Sequence, residues 1–146
     1  MSRLRSDETG TVVPLVLGVA AVVVGLLVVL ADASSAFLAR EALSAAADGA
    51  ALSAAGAVDQ DQVYAGGLTA LPVDQARAGE RAAAYLERTP VGRRYAVRLV
   101  AVRVSPTGTS VTVTLTGHAT LPLASRLLAH GGVTLTATAS ADSPLR

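Results

Sequence analysis

An uninterrupted apolar run of 20 residues, from Val12 to Ala31, constrains this chain more than any other feature. At a rise of about 1.5 Å per residue, a helix of that length spans roughly 30 Å, the thickness of a bilayer's hydrocarbon core. Backbone polar groups in lipid must be satisfied internally, so a single span of this kind has to be helical. Arg3 and Arg5 precede the run and Asp32 follows it. The positive-inside rule then predicts a single-pass cell-membrane protein with a cytoplasmic N-terminus and an extracytoplasmic remainder.

A cleaved secretory signal is the competing interpretation of the same segment. Such signals combine a basic start, an apolar stretch of about 7–15 residues and a small-x-small cleavage site, and Ala31-Asp32-Ala33 fits the last element. The apolar run exceeds that length, and helix-favouring sequence continues beyond it without a turn signal. Retention as an anchor is therefore favoured. The alternative is a secreted binding module that begins near Ser34.

Helical and strand periodicities divide the chain into four segments. Pro14 suits the first turn of a helix and the next proline is Pro72, so one helix from Val12 to Ala57 would be about 70 Å long. We expect a cytoplasmic N-terminus (1–11), a transmembrane helix (12–31), an extracytoplasmic extension of that helix (32–57) and a small α+β domain (58–146).

The distal segment predicts one helix packed on an antiparallel sheet of about three strands. After a glycine-containing loop over 58–73, Asp74 is a suitable N-cap for a helix that ends near Arg88, where Thr89-Pro90-Val91-Gly92 stops it. Valine and leucine then alternate with threonine, the period of a half-buried strand. The predicted strands cover 95–104, 110–116 and 133–140, with a short helical turn within 121–129.

No arrangement of residues predicts catalysis. The chain has no cysteine, and His118 and His130 lack the further ligands that a metal site requires. No serine lies in a nucleophile-elbow motif, and the glycine pairs lack the lysine of a phosphate-binding loop. We expect no enzyme activity, cofactor, metal or small-molecule substrate. Nucleic-acid binding is also disfavoured, because aromatic residues make up 3% of the chain and an exported domain would not meet it.

Charge is distributed unevenly along the chain. Residues 32–61 carry five acidic residues against one arginine, whereas 74–103 carry seven arginines against three acidic residues. Either the two segments form separately solvated faces, or the acidic one docks on the basic one within a chain or between neighbours.

Small residues on the long helix are the candidates for contact with other subunits. Gly18 and Gly25 lie seven residues apart, Ala21 and Gly25 form a small-xxx-small pair, and such spacing lets helices approach closely. Beyond the span, Leu38, Ala45 and Leu52 repeat with the period of a coiled coil. The candidate packing residues, with homo-oligomer formation left open, are Gly18, Ala21, Gly25, Asp32, Leu38, Ala45, Asp48 and Leu52.

Five elements in order resemble the N-terminal segment of TadG-like and TadE-like proteins of the Tad (Flp) pilus assembly system, short actinobacterial members included. They are a small-residue start at Gly10, the apolar span, Asp32 at its exit, Arg40 eight residues later, and the block Ala46-Ala47-Asp48-Gly49-Ala50-Ala51-Leu52. The resemblance implies a pilin-like arrangement, a membrane location and other Tad assembly subunits as partners.

Two departures from the family pattern narrow what the resemblance implies. Prepilins cut by the prepilin peptidase carry glutamate five residues after glycine, where this chain has Leu15 after Gly10. Long TadG proteins also carry a von Willebrand-type domain, which this chain is too short to hold. The resemblance therefore implies a pilin-like accessory or minor subunit in pilus or related secretion-apparatus assembly. A membrane-tethered regulator of another envelope complex is a further alternative.

Overall fold

A computed structural model of the chain describes residues 12–57, 73–123 and 132–143. Its dominant element is helix α1, Val12–Ala55, which runs without a break through the apolar segment and into the distal domain. The predicted long helix is therefore confirmed, and it ends two residues earlier than expected. The predicted loop over 58–73 lies outside the described residues except at Val73, and so does most of the helical turn predicted within 121–129.

The remaining elements form the α+β fold class that the sequence predicts. Helix α2 is followed by a short helix, α3, and then by an antiparallel sheet in the order β1-β2-β3. The bounds are α2 Gln75–Arg88, α3 Pro90–Arg94, β1 Arg98–Val104, β2 Ser110–Thr120 and β3 Gly132–Asp142.

The start of α2 agrees with the prediction, and the segment after it does not. The Asp74 side chain accepts a hydrogen bond of 2.9 Å from the backbone N–H of Arg77, as an N-cap residue does. Thr89 ends α2, but the chain turns there into α3 instead of a loop. Pro90 allows this because a proline in the first turn of a helix removes no intrahelical hydrogen bond.

The sheet has one apolar and one hydroxyl-rich face. Val111, Val113 and Leu115 of β2 are fully buried, whereas the threonines between them face outward. The hydroxyl groups of Thr112 and Ser140, in adjacent strands, lie 2.8 Å apart. Strand β2 continues to Thr120, four residues beyond its predicted end, because β3 provides backbone partners along its whole length.

The core lies between the sheet and the second half of α1. Seven alanines of α1 are buried there, and Leu43 of α1 is the largest fully buried side chain. Gly117 of β2 faces Leu43 so closely that a Cβ at Gly117 would lie 3.2 Å from Leu43 Cδ1. Small side chains let helix and sheet approach closely, but each buries little apolar area. The described contacts between α1 and α2 are mainly alanine packing, together with a 2.8 Å hydrogen bond from Arg81 Nη1 to the Gly56 carbonyl.

Candidate assembly surface

Among the residues that the structure describes, the most apolar stretch of the first half of α1 is not buried by any other element. Every residue from Val12 to Ala31 is exposed except Val28, which is partly so, and the most apolar stretch has a mean hydropathy of 3.0. Within the described part of the chain, α1 is the one helix long and apolar enough to cross a membrane by length and composition. A Cβ added at Gly18 or Gly25 would meet nothing within 4 Å. This half of α1 therefore suits a single-pass membrane protein, with Gly18, Ala21 and Gly25 open to lipid or to another helix.

The second half of α1 also exposes apolar side chains, and Leu38 among them borders a cleft next to α3 and the end of β2. Phe37, Leu38 and Leu52 are exposed to between 62% and 67%, and Ala45 and Asp48 are also exposed. Leu38, Ala45 and Leu52 form one line along the helix, which we term the outer stripe. A soluble domain rarely leaves large apolar side chains in a line unless a partner covers them.

The small residues of the span lie on a different side of α1. Gly18 and Gly25, which we term the glycine stripe, are followed at the same spacing by Asp32. Leu43 lies five full turns after Gly25, so the glycine stripe points in the same direction as the buried face of α1. Gly25 and Leu38 are about 140° apart around the helix axis. The predicted packing residues therefore form two surfaces rather than one.

Asp32 belongs to the buried side of α1. It is 8% exposed, and its Oδ1 accepts a 3.0 Å hydrogen bond from the backbone N–H of Leu123, just after β2. No local sequence pattern predicts this contact, because the two residues are 91 positions apart. An acidic residue at the exit of a span is expected to be solvated, and here the domain covers it.

The described residues contain no group of three or more histidine, cysteine, aspartate or glutamate side chains able to hold a metal ion. His118 is exposed on β2 and its Nδ1 lies 3.4 Å from the Thr134 hydroxyl, while His130 lies outside the described residues. The absence of enzyme activity, of a cofactor and of a small-molecule substrate stays a prediction.

A protein-family model matches the part of the chain that forms α1. Residues 10–57 match the family model "Putative Flp pilus-assembly TadE/G-like". The resemblance carried by the span, by Asp32 and by the alanine-rich block is thereby confirmed for about a third of the chain. No curated protein and no solved structure matches the chain.

The TadE/G-like segment corresponds closely to one structural element. It begins two residues before α1 and ends two residues after it, so it includes both the glycine stripe and the outer stripe. The match supports involvement in Tad pilus assembly, with membrane association and other pilus subunits as partners. The remaining two thirds of the chain, including α2 and the sheet, lie outside the match.

Proposed function

We propose that this chain is a pilin-like, membrane-anchored accessory or minor subunit in the assembly of a Tad-type pilus or a related secretion apparatus. The observation that carries the proposal is the division of α1 into two halves within one TadE/G-like segment. The first half is an exposed apolar helix, and the second half contributes to the core of a small domain. Such a subunit can hold its domain at a fixed height above a membrane while its helix remains free to pack against others.

The two stripes support an assembly with more than one neighbour. A closed two-fold dimer uses the same patch on both subunits, whereas an extended array needs two different patches on each subunit. The glycine stripe and the outer stripe are different patches, and they face nearly opposite directions. One lies within the span and the other beyond it, so a neighbouring helix would contact each at a different height.

The structure favours retention of the span over cleavage as a secretory signal. The helix is continuous through Ala31, Asp32 and Ala33, which fit the pattern of a signal-peptide cleavage site. Cleavage there would also remove Asp32, whose carboxylate is part of the folded domain. A cytoplasmic N-terminus, inferred from Arg3 and Arg5, is retained in this proposal.

The first test compares Gly25→Leu with Val23→Leu. Both place leucine at similar depth, but residue 23 lies away from the glycine stripe. If the stripe packs against another subunit, Gly25→Leu reduces co-purification with the other Tad subunits and pilus yield, while Val23→Leu does not. Both variants should resist alkaline extraction from membranes. Unchanged assembly in Gly25→Leu would show that the stripe faces lipid.

The intact mass of the native protein, from membranes and from sheared surface material, tests the anchor itself. Full-length protein confined to membranes is the result expected for an assembly factor. A species that starts after Gly10 in the sheared fraction would indicate a processed minor pilin. A start near Ser34 would contradict the proposal and favour the secreted module.

A further inference from the structure

We infer that the end of the distal domain nearest the span binds the phosphate group of an anionic phospholipid, in the same bilayer that holds α1. The inference goes beyond pilus assembly and depends only on α1 being embedded in a membrane. It rests on a cleft of about 290 Å³ between α1, the C-terminal end of α3 and the end of β2. The residues that matter here are Ser35, Leu38, Arg94, Tyr95, Thr120 and Pro122.

The position of the cleft along α1 sets its height above the membrane. Ser35 is four residues beyond Ala31, the last residue of the apolar run, and Leu38 is seven beyond it. At about 1.5 Å per residue these positions lie roughly 6 and 10 Å past the hydrocarbon boundary. The headgroup region of a bilayer is about 5–8 Å deep on each side. Ser35, on the wall of the cleft nearer the span, is therefore at the level of the lipid phosphates, and Leu38 lies just beyond the headgroup region.

The direction of the chain brings positive charge to this end of the domain. Helix α2 runs back along α1: Arg81 contacts Gly56 near the far end, whereas Tyr85 lies against Gly49. Helix α3 continues in that direction, so that Arg94 reaches the cleft together with Ser35. Arg93 and Arg98 are exposed close by in sequence.

The exposure of Arg94 and its position against the Tyr95 ring suit the binding of an anion. Its Cζ lies 5.6 Å from the centroid of the Tyr95 ring, and the residue is exposed. A guanidinium that stacks on an aromatic ring keeps its N–H groups available in the plane, and those groups match the oxygens of a phosphate. The exposed Thr120 is on the same cleft and offers a further hydroxyl donor.

The other walls suit the remainder of a lipid headgroup. Leu38 and Pro122 are exposed apolar residues that face the cleft. The turn containing Pro122 is fixed to α1 at its next residue, since Asp32 accepts the hydrogen bond from the backbone N–H of Leu123. Arg94 beside these two apolar side chains in one cleft suits a phosphodiester attached to a glycerol backbone. A freely soluble anion would not require that arrangement.

The test uses the full-length chain in a neutral detergent, titrated with phosphatidylglycerol or phosphatidylcholine and followed by native mass spectrometry. We expect tighter binding of phosphatidylglycerol, and we expect Arg94→Gln to weaken it about fivefold, the contribution of one arginine near a lipid surface. Arg94→Lys should recover only part of the preference, because lysine keeps the positive charge but lacks the planar guanidinium. Arg77→Gln, an exposed position on the far part of α2, should leave it unchanged.

Three outcomes would overturn the inference. Equal losses in Arg93→Gln and Arg94→Gln would show diffuse attraction to a basic surface rather than a site, because Arg93 does not line the cleft. Equal affinity of the unaltered protein for the two lipids would show that the cleft does not select an anionic headgroup. Displacement of phosphatidylglycerol by inorganic phosphate alone, at millimolar concentration, would identify a site for a soluble anion.

Discussion

The carboxylate of Asp32, in the middle of α1, accepts a hydrogen bond from the backbone N–H of Leu123, which follows the end of β2. Their 3.0 Å hydrogen bond connects residues 91 positions apart, at the point where α1 leaves the apolar run. The domain is thus fixed to α1 at its lower end, as it is at its upper end by the hydrogen bond from Arg81 to Gly56. Between these two bonds lies the alanine-rich core.

Replacing Asp32 tests how much its hydrogen bond with the Leu123 N–H stabilises the domain. We expect Asp32→Ala to lower the free energy of unfolding of the domain by about 1–3 kcal/mol, because the Leu123 N–H loses its acceptor in a partly buried place. The measurement is urea unfolding of the full-length protein in neutral detergent, followed by tyrosine fluorescence. Asp48→Ala is the control, since Asp48 is exposed on the same helix. Equal effects of the two changes would contradict a structural role for Asp32.

The two sides of α1 should respond differently to loss of a leucine. Leu43 is 1% exposed and Leu52 is 67% exposed. We expect Leu43→Ala to cost about 2–5 kcal/mol of stability, because it leaves a cavity over the sheet. Leu52→Ala should change stability by less than about 0.5 kcal/mol, as exposed positions usually do. Thermal or urea unfolding in detergent would measure both.

The same pair also tests the outer stripe. If the stripe contacts another subunit, Leu52→Ala lowers assembly yield in cells without lowering stability. Val100→Ala provides a matched control, because Val100 is an exposed apolar residue at the irregularity in β1 and away from α1. Reduced assembly in both variants would implicate the sheet edge as well as the helix.

Two helical glycines should respond to alanine with opposite signs. A Cβ at Gly49 would overlap the Tyr85 ring, whereas a Cβ at Gly79 would meet nothing within 4 Å. We expect Gly49→Ala to destabilise the domain by about 1 kcal/mol or more, because the tyrosine must move. Gly79→Ala should stabilise it by about 0.5–1 kcal/mol through helix propensity. Stabilisation by both changes would show that the Tyr85 ring moves away from residue 49 without a loss of packing between α1 and α2.

Gln75 should protect the outer edge of the sheet. Its Nε2 donates to the Val102 carbonyl at 2.8 Å, and its Oε1 accepts from the Val104 N–H at 3.0 Å. Gln75→Ala should therefore lower the free energy of unfolding by about 1 kcal/mol and increase self-association, because unpaired edge groups recruit other strands. Gln75→Glu retains only the hydrogen-bond acceptor, so its stability should fall between that of the unaltered protein and that of Gln75→Ala. Light scattering of the detergent-solubilised proteins would detect association, and a change confined to stability would exclude the edge effect.

Local patterns in the sequence were sufficient for the elements themselves. The unbroken apolar run and the lack of proline between Pro14 and Pro72 predicted α1, and the N-cap at Asp74 predicted α2. Alternation of valine or leucine with threonine predicted β2 and β3, and the apolar run from Tyr95 to Val104 predicted β1, which begins at Arg98. The pattern does not predict the continuation of β2 to Thr120, because Gly117 and His118 interrupt that alternation. It does not predict α3 either, because a proline can end one helix as well as begin the next.

The sequence by itself determined that a membrane-length helix continues into a small α+β domain, since length, periodicity and capping are local properties. Only the tertiary structure decided which side of α1 meets the sheet. Alanine and leucine occur both on the face of α1 at Leu43 and on the face at Leu38, so the sequence pattern does not mark the first as core and the second as surface. The structure likewise decided that the turn after β2 covers Asp32 and that Arg94 lies on the same cleft as Ser35. Both arrangements depend on chain direction and on packing between residues far apart in the sequence. The spacing of neighbouring residues does not predict such contacts.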